Sequence, residues 1–313
     1  MKNAINERRI LYLYEAANLG SLRAAADKLD MNASVISRQI AQLEAELALP
    51  LMERKGRGVK PTEAGQLLVD FYRQYSANQD DLIAKLDEIR GLARGQIDVV
   101  LGEGFVSEML GAPLSAFWRR HPGLTVSLNL AGTNEVIRRV EEDTAQIGLV
   151  YNPPKVPGIR SRASVCHPLC AIVTPGHPLA RQQHRPKLGE LREYPIAQMY
   201  GSYGVRQLIE VAEHAEHLRL APTLMTNSML IMKHFAMAGL GVMMLPAFAM
   251  SREIAAGELI ALPIDHPFLA SAEAHIVTRQ GRQLSGAASQ LLQLLMSTMN
   301  TFRDSTPAPI AAD

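Results

Sequence analysis

The chain has 313 residues, 47% hydrophobic and 20% charged, with a formal net charge of +1. That length leaves room for two or three domains with ordinary cores, and the composition excludes a disordered polar chain. A near-zero net charge excludes no partner, so a nucleic-acid surface has to be sought in where the charge sits.

Residues 5–49 read as helices. Ile10, Leu11, Leu13, Tyr14 and Ala17 form one stripe at helical spacing. Gly20–Ser21 breaks it, and Ser21 is placed to cap a second helix with Leu22, Ala25, Ala26 and Leu29 inward. Asn32 or Ser34 caps a third, whose inward set is Val35, Ile36, Ile40, Leu43 and Leu47. In "LPLMERKGRGVKPTEAG" charges, glycines and a proline interrupt the helical period, which predicts a short hairpin or wing. Its tip holds Arg54, Lys55, Arg57 and Lys60 with no acid between them.

Thr62 then caps a long helix over about 63–90. Leu68, Tyr75, Leu82 and Ile89 recur every seven residues, and Tyr72, Gln79 and Leu86 fall four after the first three. That spacing predicts a two-stranded coiled-coil seam built on Leu68, Tyr72, Tyr75, Leu82, Leu86 and Ile89. The alternative for the same residues is a helix packed on its own domain. After a linker at 91–96 the pattern becomes α/β. Short apolar runs ("IDVVLG", "TVSLNLAG", "IGLVY", "CAIVTP", "PIAQMY", "PTLMT", "VMMLP") alternate with helical stretches such as 107–120 and 134–143. This alternation predicts a mostly parallel sheet, in two lobes rather than one. The tail from Arg303 reads as disordered.

Residues 21–47 satisfy the physical needs of a helix-turn-helix. Ala25 and Ala26 are small where two helices cross, and Leu29, Met31 and Ile36 anchor the turn. The second helix of such a unit enters the major groove and offers its N-terminal side chains to bases. Ser34, Ser37, Arg38 and Gln39 are donors of the kind that read base edges or grip phosphates, and the basic tip would grip the backbone beside them. The competing reading, a plain helical hairpin with a solvated face, predicts no such basic neighbour.

The stretch "GSLRAAADKLDMNASVISRQIAQLEAELALPLMERKGRGVKPTEAG" resembles the winged helix-turn-helix of LysR-type transcriptional regulators. The resemblance is carried by "AA", "SRQI", "LE.EL", "L.ER..RGV..TEAG" and the long helix that follows. It extends more loosely through "FWRRHPGLTVSLNLAG", "VTPGHPLA" and "AGLGVMMLP". Where the family commonly has Ser-Gln-Pro at the start of the recognition helix, this chain has Asn32, Ala33 and Ser34, so no base preference carries over.

The resemblance implies an α/β chain with an all-α, winged N-terminal domain at 1–62. A linker and dimerisation helix at 63–90 would join it to an effector domain at 91–302. That domain would have two lobes, like a type 2 periplasmic binding protein: 95–163 with 269–300, and 164–268. It further implies double-stranded operator DNA, a homodimer or homotetramer and RNA polymerase as partners. Ligands of such folds sit beyond the carboxyl ends of the strands. The candidate effector residues are therefore Glu103, Gly104, Phe105, Ser107, Thr133, Asn134, Ser202, Tyr203, Thr226 and Asn227. Hydroxyls, amides and free N–H groups at helix starts favour an anion, so a small carboxylate is expected; Glu103 fits an amine or zwitterion better. Helix capping alone is the alternative role for each hydroxyl.

Other motifs carry less. Cys166 and Cys170 are the only cysteines and cannot form a disulfide framework, and the second begins a buried strand where a thiol is inert. His214 and His217, with Glu210 and Glu213, could hold a metal but read better as a polar helix face. No nucleophile elbow, phosphate loop or metal-protease helix is present, so no catalytic residue, cofactor or metal is expected. Glu7, Arg8, Arg9 and Glu15 interrupt the N-terminal apolar residues, and no apolar run approaches the ~18 residues that span a bilayer. These features predict a soluble, cytoplasmic chain with no membrane role. The leading expectation is an effector-controlled DNA-binding regulator. The alternative is a solute-binding protein whose N-terminal helices only oligomerise.

Overall fold

The computed structural model describes residues 6–55, 58–89, 95–201 and 203–303, without the side chains of Lys55, Asp80, Asp81, Ala84, Lys85 and residues 87–89. It divides into two compact units, Met1–Ile83 and Ala84–Asp313.

The first unit contains α1 (Glu7–Leu19), α2 (Leu22–Lys28), α3 (Ala33–Leu47), β1 (Met52–Lys55), β2 (Gly58–Pro61) and most of α4 (Glu63–Ile89). Caps set the helix starts. Asn6, Ser21 and Asn32 accept from the backbone N–H groups of Arg8, Ala24 and Ser34. Thr62 Oγ1 accepts from Gly65 N at 3.1 Å and donates to the Pro50 carbonyl at 2.7 Å. Gly20 ends α1 in the left-handed region, at φ 63°, where a residue without Cβ is favoured.

The core of this unit is Ile10, Leu13, Ala16, Ala25, Ala26, Ile36, Ile40, Leu43, Leu51 and Val69. Two expectations shift. On α1 the buried set turns toward Tyr12 and Ala16, while Leu11, Tyr14 and Ala17 only flank the core. Val35 stays half-buried, outside that cluster. Buried Glu15 is neutralised by Lys28 at 2.7 Å, which ties α1 to α2. β1 and β2 pair antiparallel with Met52 opposite Pro61 and Lys55 opposite Gly58, so the wing forms as a hairpin. Val59 N donates to the Gly20 carbonyl and docks the wing on the end of α1.

The first strand of the second unit is β3 (Gly95–Leu101), so Gly95 and Gln96 belong to a strand rather than to the linker. Then come α5 (Val106–Met109), α6 (Ala112–Arg120), β4 (Leu124–Leu130), α7 (Thr133–Glu141), β5 (Ile147–Tyr151) and β6 (Ile159–Cys166). The chain next builds β7 (Leu169–Val173), β8 (Ile196–Met199), α8 (Gly204–Ala215), β9 (Leu224–Thr226), α9 (Met229–Met237), β10 (Val242–Pro246), α10 (Ser251–Ala255), β11 (Ile260–Pro263) and α11 (Pro267–Ala270). It closes with β12 (Glu273–Arg279) and α12 (Gly286–Thr298).

Among the described residues the strands form two five-stranded sheets, in the orders β4-β3-β5-β12-β6 and β11-β7-β10-β8-β9. Lobe 1 is built on the first and lobe 2 on the second. β5, β7 and β10 are buried throughout, as continuous apolar runs in covered sheets should be.

The expected mostly parallel sheet is corrected to two mixed ones. β3 pairs parallel with β4 and β5, but β12 pairs antiparallel with β5 and β6, and β7 antiparallel with β10 and β11. The chain leaves lobe 1 through β6 and returns through β12, and β12 runs against the other four strands of its sheet. β6, β11 and β12 also escaped the sequence reading. β12 carries Glu273, His275 and Arg279, and cross-strand partners hide that polarity: His275 Nδ1 lies 2.9 Å from Ser161 Oγ. The two passages between the lobes hold one another, with His167 N donating to the Ala272 carbonyl at 2.8 Å and Tyr151 Oη to the His167 carbonyl at 2.7 Å.

Candidate functional site

The first unit offers one surface suited to DNA. Capped by Asn32, α3 exposes Ser34, Ser37 and Arg38 at its N-terminal end. Ser37 and Arg38 make no hydrogen bond or ion pair with any described residue, which leaves their donors free. Ser34 is less free, because its Oγ donates to Asn32 Oδ1 at 3.0 Å.

Gln39 is less free than its place in the sequence suggests. Its Oε1 accepts from Arg9 Nε at 3.0 Å, and Arg9 also pairs with Glu46, so one α1 arginine clamps α3 at two points. On the wing, Arg54 is exposed and unpaired among the described residues. Lys60 is not a free cation: the ladder sets Glu53 opposite it, at 2.6 Å. Both are about half exposed, so the pair is worth less than about 1 kcal/mol and a phosphate could displace the carboxylate. Arg57 and the Lys55 side chain lie outside the described residues.

Sequence reading missed Glu44, whose Oε1 accepts from Leu51 N at 2.7 Å and Met52 N at 3.1 Å. The "LE" of the family pattern is thus a carboxylate that folds the turn between α3 and the wing.

The seam expected on α4 is corrected in its first repeat. Leu68 and Tyr72 pack on the unit's own core, Tyr72 with its ring 5.1 Å from that of Tyr14. Tyr75 Oη donates to Glu7 Oε2 at 2.9 Å. The apolar stripe left exposed runs instead through Leu67, Phe71, Leu82 and Leu86. At ~100° per residue these four fall within about 100° of helix surface, the width of one packing face, and exposed Ile83 lies about 60° beyond them. Ile89 belongs to α4, but its side chain is not described.

In the second unit, strand ends and helix starts converge between the two sheets. The turn after β3 brings Gly102, Glu103, Gly104 and Phe105; β5 ends in Tyr151; Thr133, Gly204 and Met229 open α7, α8 and α9. With Tyr203, Met199 and Phe248 they enclose a cavity of about 30 Å³. On the other side of the Glu103–Gly104 turn lies a hollow of about 360 Å³, bordered by Ser107, Leu110, Lys233 and Arg252.

Of the expected effector residues, Glu103, Gly104, Phe105, Thr133 and Tyr203 meet at the inner cavity. The others are corrected or moved. Ser107 borders only the outer hollow, where its carbonyl accepts from Arg252. Asn134 is exposed on the first turn of α7 and lines neither space. Thr226 is buried with its Oγ1 accepting from Ser228 N at 3.1 Å, a local turn. Asn227 is exposed, and its carbonyl accepts from Tyr203 Oη at 3.1 Å. Ser202 lies outside the described residues.

The apolar lining, Val136, Met199 and Phe248 among it, carried no sequence signal beyond its place at strand ends. Burial, followed by the charge of Glu103, raises the Tyr203 hydroxyl above its ordinary pKa, so it stays a donor.

The remaining motifs have structural roles. Glu213 accepts from Leu220 N at 2.8 Å and pairs with Arg206 at 3.2 Å, which ties it into α8 rather than to His214 and His217. Arg206 also donates to Gln198 at 2.7 Å. Cys166 and Cys170 are free thiols, and burial pushes Cys170 up to about 11, so it stays protonated. Among the described residues no helix is long and apolar enough to cross a membrane.

A winged reading helix on one unit and a two-lobed cleft on the other define a ligand-responsive DNA-binding regulator. The family model of the LysR substrate binding domain matches residues 90–300, and that of the lysR-family bacterial regulatory helix-turn-helix protein matches residues 8–66. The chain belongs to the LysR family and is a DNA-binding transcriptional regulator with an effector-binding domain.

It is 25% identical to the HTH-type transcriptional activator CmpR of Synechocystis sp. over 284 residues, 90% of this chain and 91% of CmpR. It shares its fold with a full-length, singly substituted OxyR from Pseudomonas aeruginosa (TM-score 0.67, 15% identity, 98% of this chain and 100% of that one). A full-length CbnR complexed with its target DNA is similar at a TM-score of 0.52 and 21% identity, covering 94% and 99%.

Proposed function

We propose that this chain binds a pseudo-palindromic operator as a dimer paired through α4, with Ser37 and Arg38 reading or gripping DNA in the major groove and Arg54 holding the flanking backbone. The observation that carries this is a capped helix presenting two donors, Ser37 and Arg38, and a wing cation, Arg54, all without partners among the described residues. The complex of CbnR with its target DNA supports the same use of the fold. Further pairing of effector domains into a tetramer and contact with RNA polymerase belong to the same reading, as does a cytoplasmic site of action.

Catalysis is not part of it. Glu103 and Thr133 are the polar side chains of the inner cavity apart from its tyrosines, and each is already held by a backbone N–H. Among the described residues no base–nucleophile pair is set up there. The effector is a small molecule taken between the lobes, with no cofactor or metal. A zwitterion or amine suits Glu103 better than a simple carboxylate does. Its differential affinity for two lobe arrangements is the energy available to change DNA engagement.

Selection from random-sequence DNA with the purified protein tests the reading. The expected product is two related half-sites about one helical turn, or a multiple of it, apart, bound less tightly as salt rises. Enrichment of no sequence would overturn it. The stripe on α4 has its own test. Leu82→Glu is expected to lower the oligomeric mass by light scattering without lowering the melting temperature of the first unit; an unchanged mass would remove Leu82 from the interface.

A further inference from the structure

Two helices of lobe 2 begin at the cleft without caps of their own. α8 starts after Tyr203 and α9 after Ser228, and neither residue's side chain bonds the helix it precedes. Serine is a favoured cap residue, so its idleness at α9 needs a reason. The free N–H groups of a helix start are satisfied by some acceptor, and an anion suits them best. Here both acceptors come from lobe 1. Glu103 Oε2 accepts from Met229 N at 2.8 Å, and Thr133 Oγ1 from Gly204 N at 2.7 Å.

The backbone around both contacts is shaped for close approach. A Cβ on Gly204 would stand 2.3 Å from the Tyr151 carbonyl oxygen, and one on Gly104 would stand 3.1 Å from Ala249 Cβ. Phe105 of lobe 1 stacks on Phe248 of lobe 2 with centroids 4.9 Å apart. The outer hollow, which Glu103, Gly104 and Met229 also border, keeps about 360 Å³, but the inner cavity is left with about 30 Å³. That is on the scale of a water molecule, against the roughly 300–1,000 Å³ of small-molecule sites.

We propose that Glu103 is a tethered ligand: its carboxylate holds the start of α9 where an effector's anionic group would otherwise sit, so the lobes close without one. This rests on the reading of the cleft as the effector site. A free carboxylate meets Glu103 at α9 as a competitor for the Met229 N–H and as a like charge. An effector acting there has to draw Glu103 away, and a cationic or amine group does so by pairing with it. Removing the tether should convert the cleft into a receptor for small carboxylates.

Thermal unfolding of the full-length protein tests this, with sodium formate and acetate as probes and sodium chloride at equal ionic strength as control. Glu103→Ala is expected to lower the melting temperature of the second unit by roughly 3–6 °C, the loss of one charge-assisted hydrogen bond. Formate should restore it saturably in the variant and leave the wild type unmoved. Glu103→Gln, which keeps an acceptor but not the charge, should fall between the two and respond little.

An unchanged melting temperature in Glu103→Ala, or an equal formate response in wild type and variant, would overturn the tether. Gel shifts on the selected DNA, run with the same probes, separate the two layers. Formate rescue of stability with no change in DNA affinity would keep the tether and count against the cleft as the effector site.

Discussion

Gly65→Ala is expected to unfold the first unit at temperatures where the wild type is folded, and to abolish DNA binding. A Cβ at this position would stand 1.9 Å from the Leu51 carbonyl oxygen and 2.9 Å from its carbon, both backbone atoms. Leu51 cannot give way. Its side chain is fully buried, its N–H is held by Glu44, and its carbonyl accepts from Thr62 N at 2.9 Å.

Overpacking a yielding core costs about 1–3 kcal/mol, and more where backbone must shift. The loss here should reach about 3 kcal/mol or more, a large share of a small domain's stability. Calorimetry of the full chain reads it as an early separate transition. Gly176→Ala, with nothing within 4 Å of the added carbon, is the control and should move stability by no more than about 0.5 kcal/mol. A Gly65→Ala protein that melts like wild type would refute the contact.

Arg38→Ala should leave the fold intact and weaken operator binding. The side chain is exposed and unpaired among the described residues, so its removal exposes no cavity and orphans no partner. Loss of an arginine contact to a base costs about 1–3 kcal/mol, roughly a tenfold loss of affinity or more. Salt dependence tells which contact it is. A phosphate contact lowers the slope of log affinity against log salt by about one and weakens all sequences alike. A base contact relaxes preference at one position instead. Unchanged affinity at every salt concentration would place Arg38 outside the interface.

These two experiments fall on residues of different legibility. Arg38 was readable as a candidate because helical periodicity alone assigns it to the face opposite Ile36 and Ile40. Gly65 was visible as part of a pattern, but its reason was not, since the obstructing carbonyl lies fourteen positions away in the chain and is brought near only by folding. Gln39 shows a long-range contact of the same kind. Periodicity leaves it near the surface, yet Arg9, thirty residues earlier, takes its carbonyl oxygen. The α4 seam failed in its first repeat for the same reason. Heptad spacing marks residues that want burial, and the core around Tyr14 had already claimed Leu68 and Tyr72.

By itself the sequence determined the helix starts, through Ser21, Asn32 and Thr62; the wing; the buried strands of both sheets; and the family. All of these rest on interactions within a few residues or on apolar periodicity, which the chain carries locally. The tertiary structure alone decided the antiparallel strands, the exposed stripe of α4, and which effector candidates meet. It also decided that Thr226 turns inward to its own loop while Glu103 and Thr133 cap helices of the opposite lobe. The Glu103 and Thr133 caps join donors and acceptors 126 and 71 residues apart, and only a closed fold brings them within hydrogen-bonding distance.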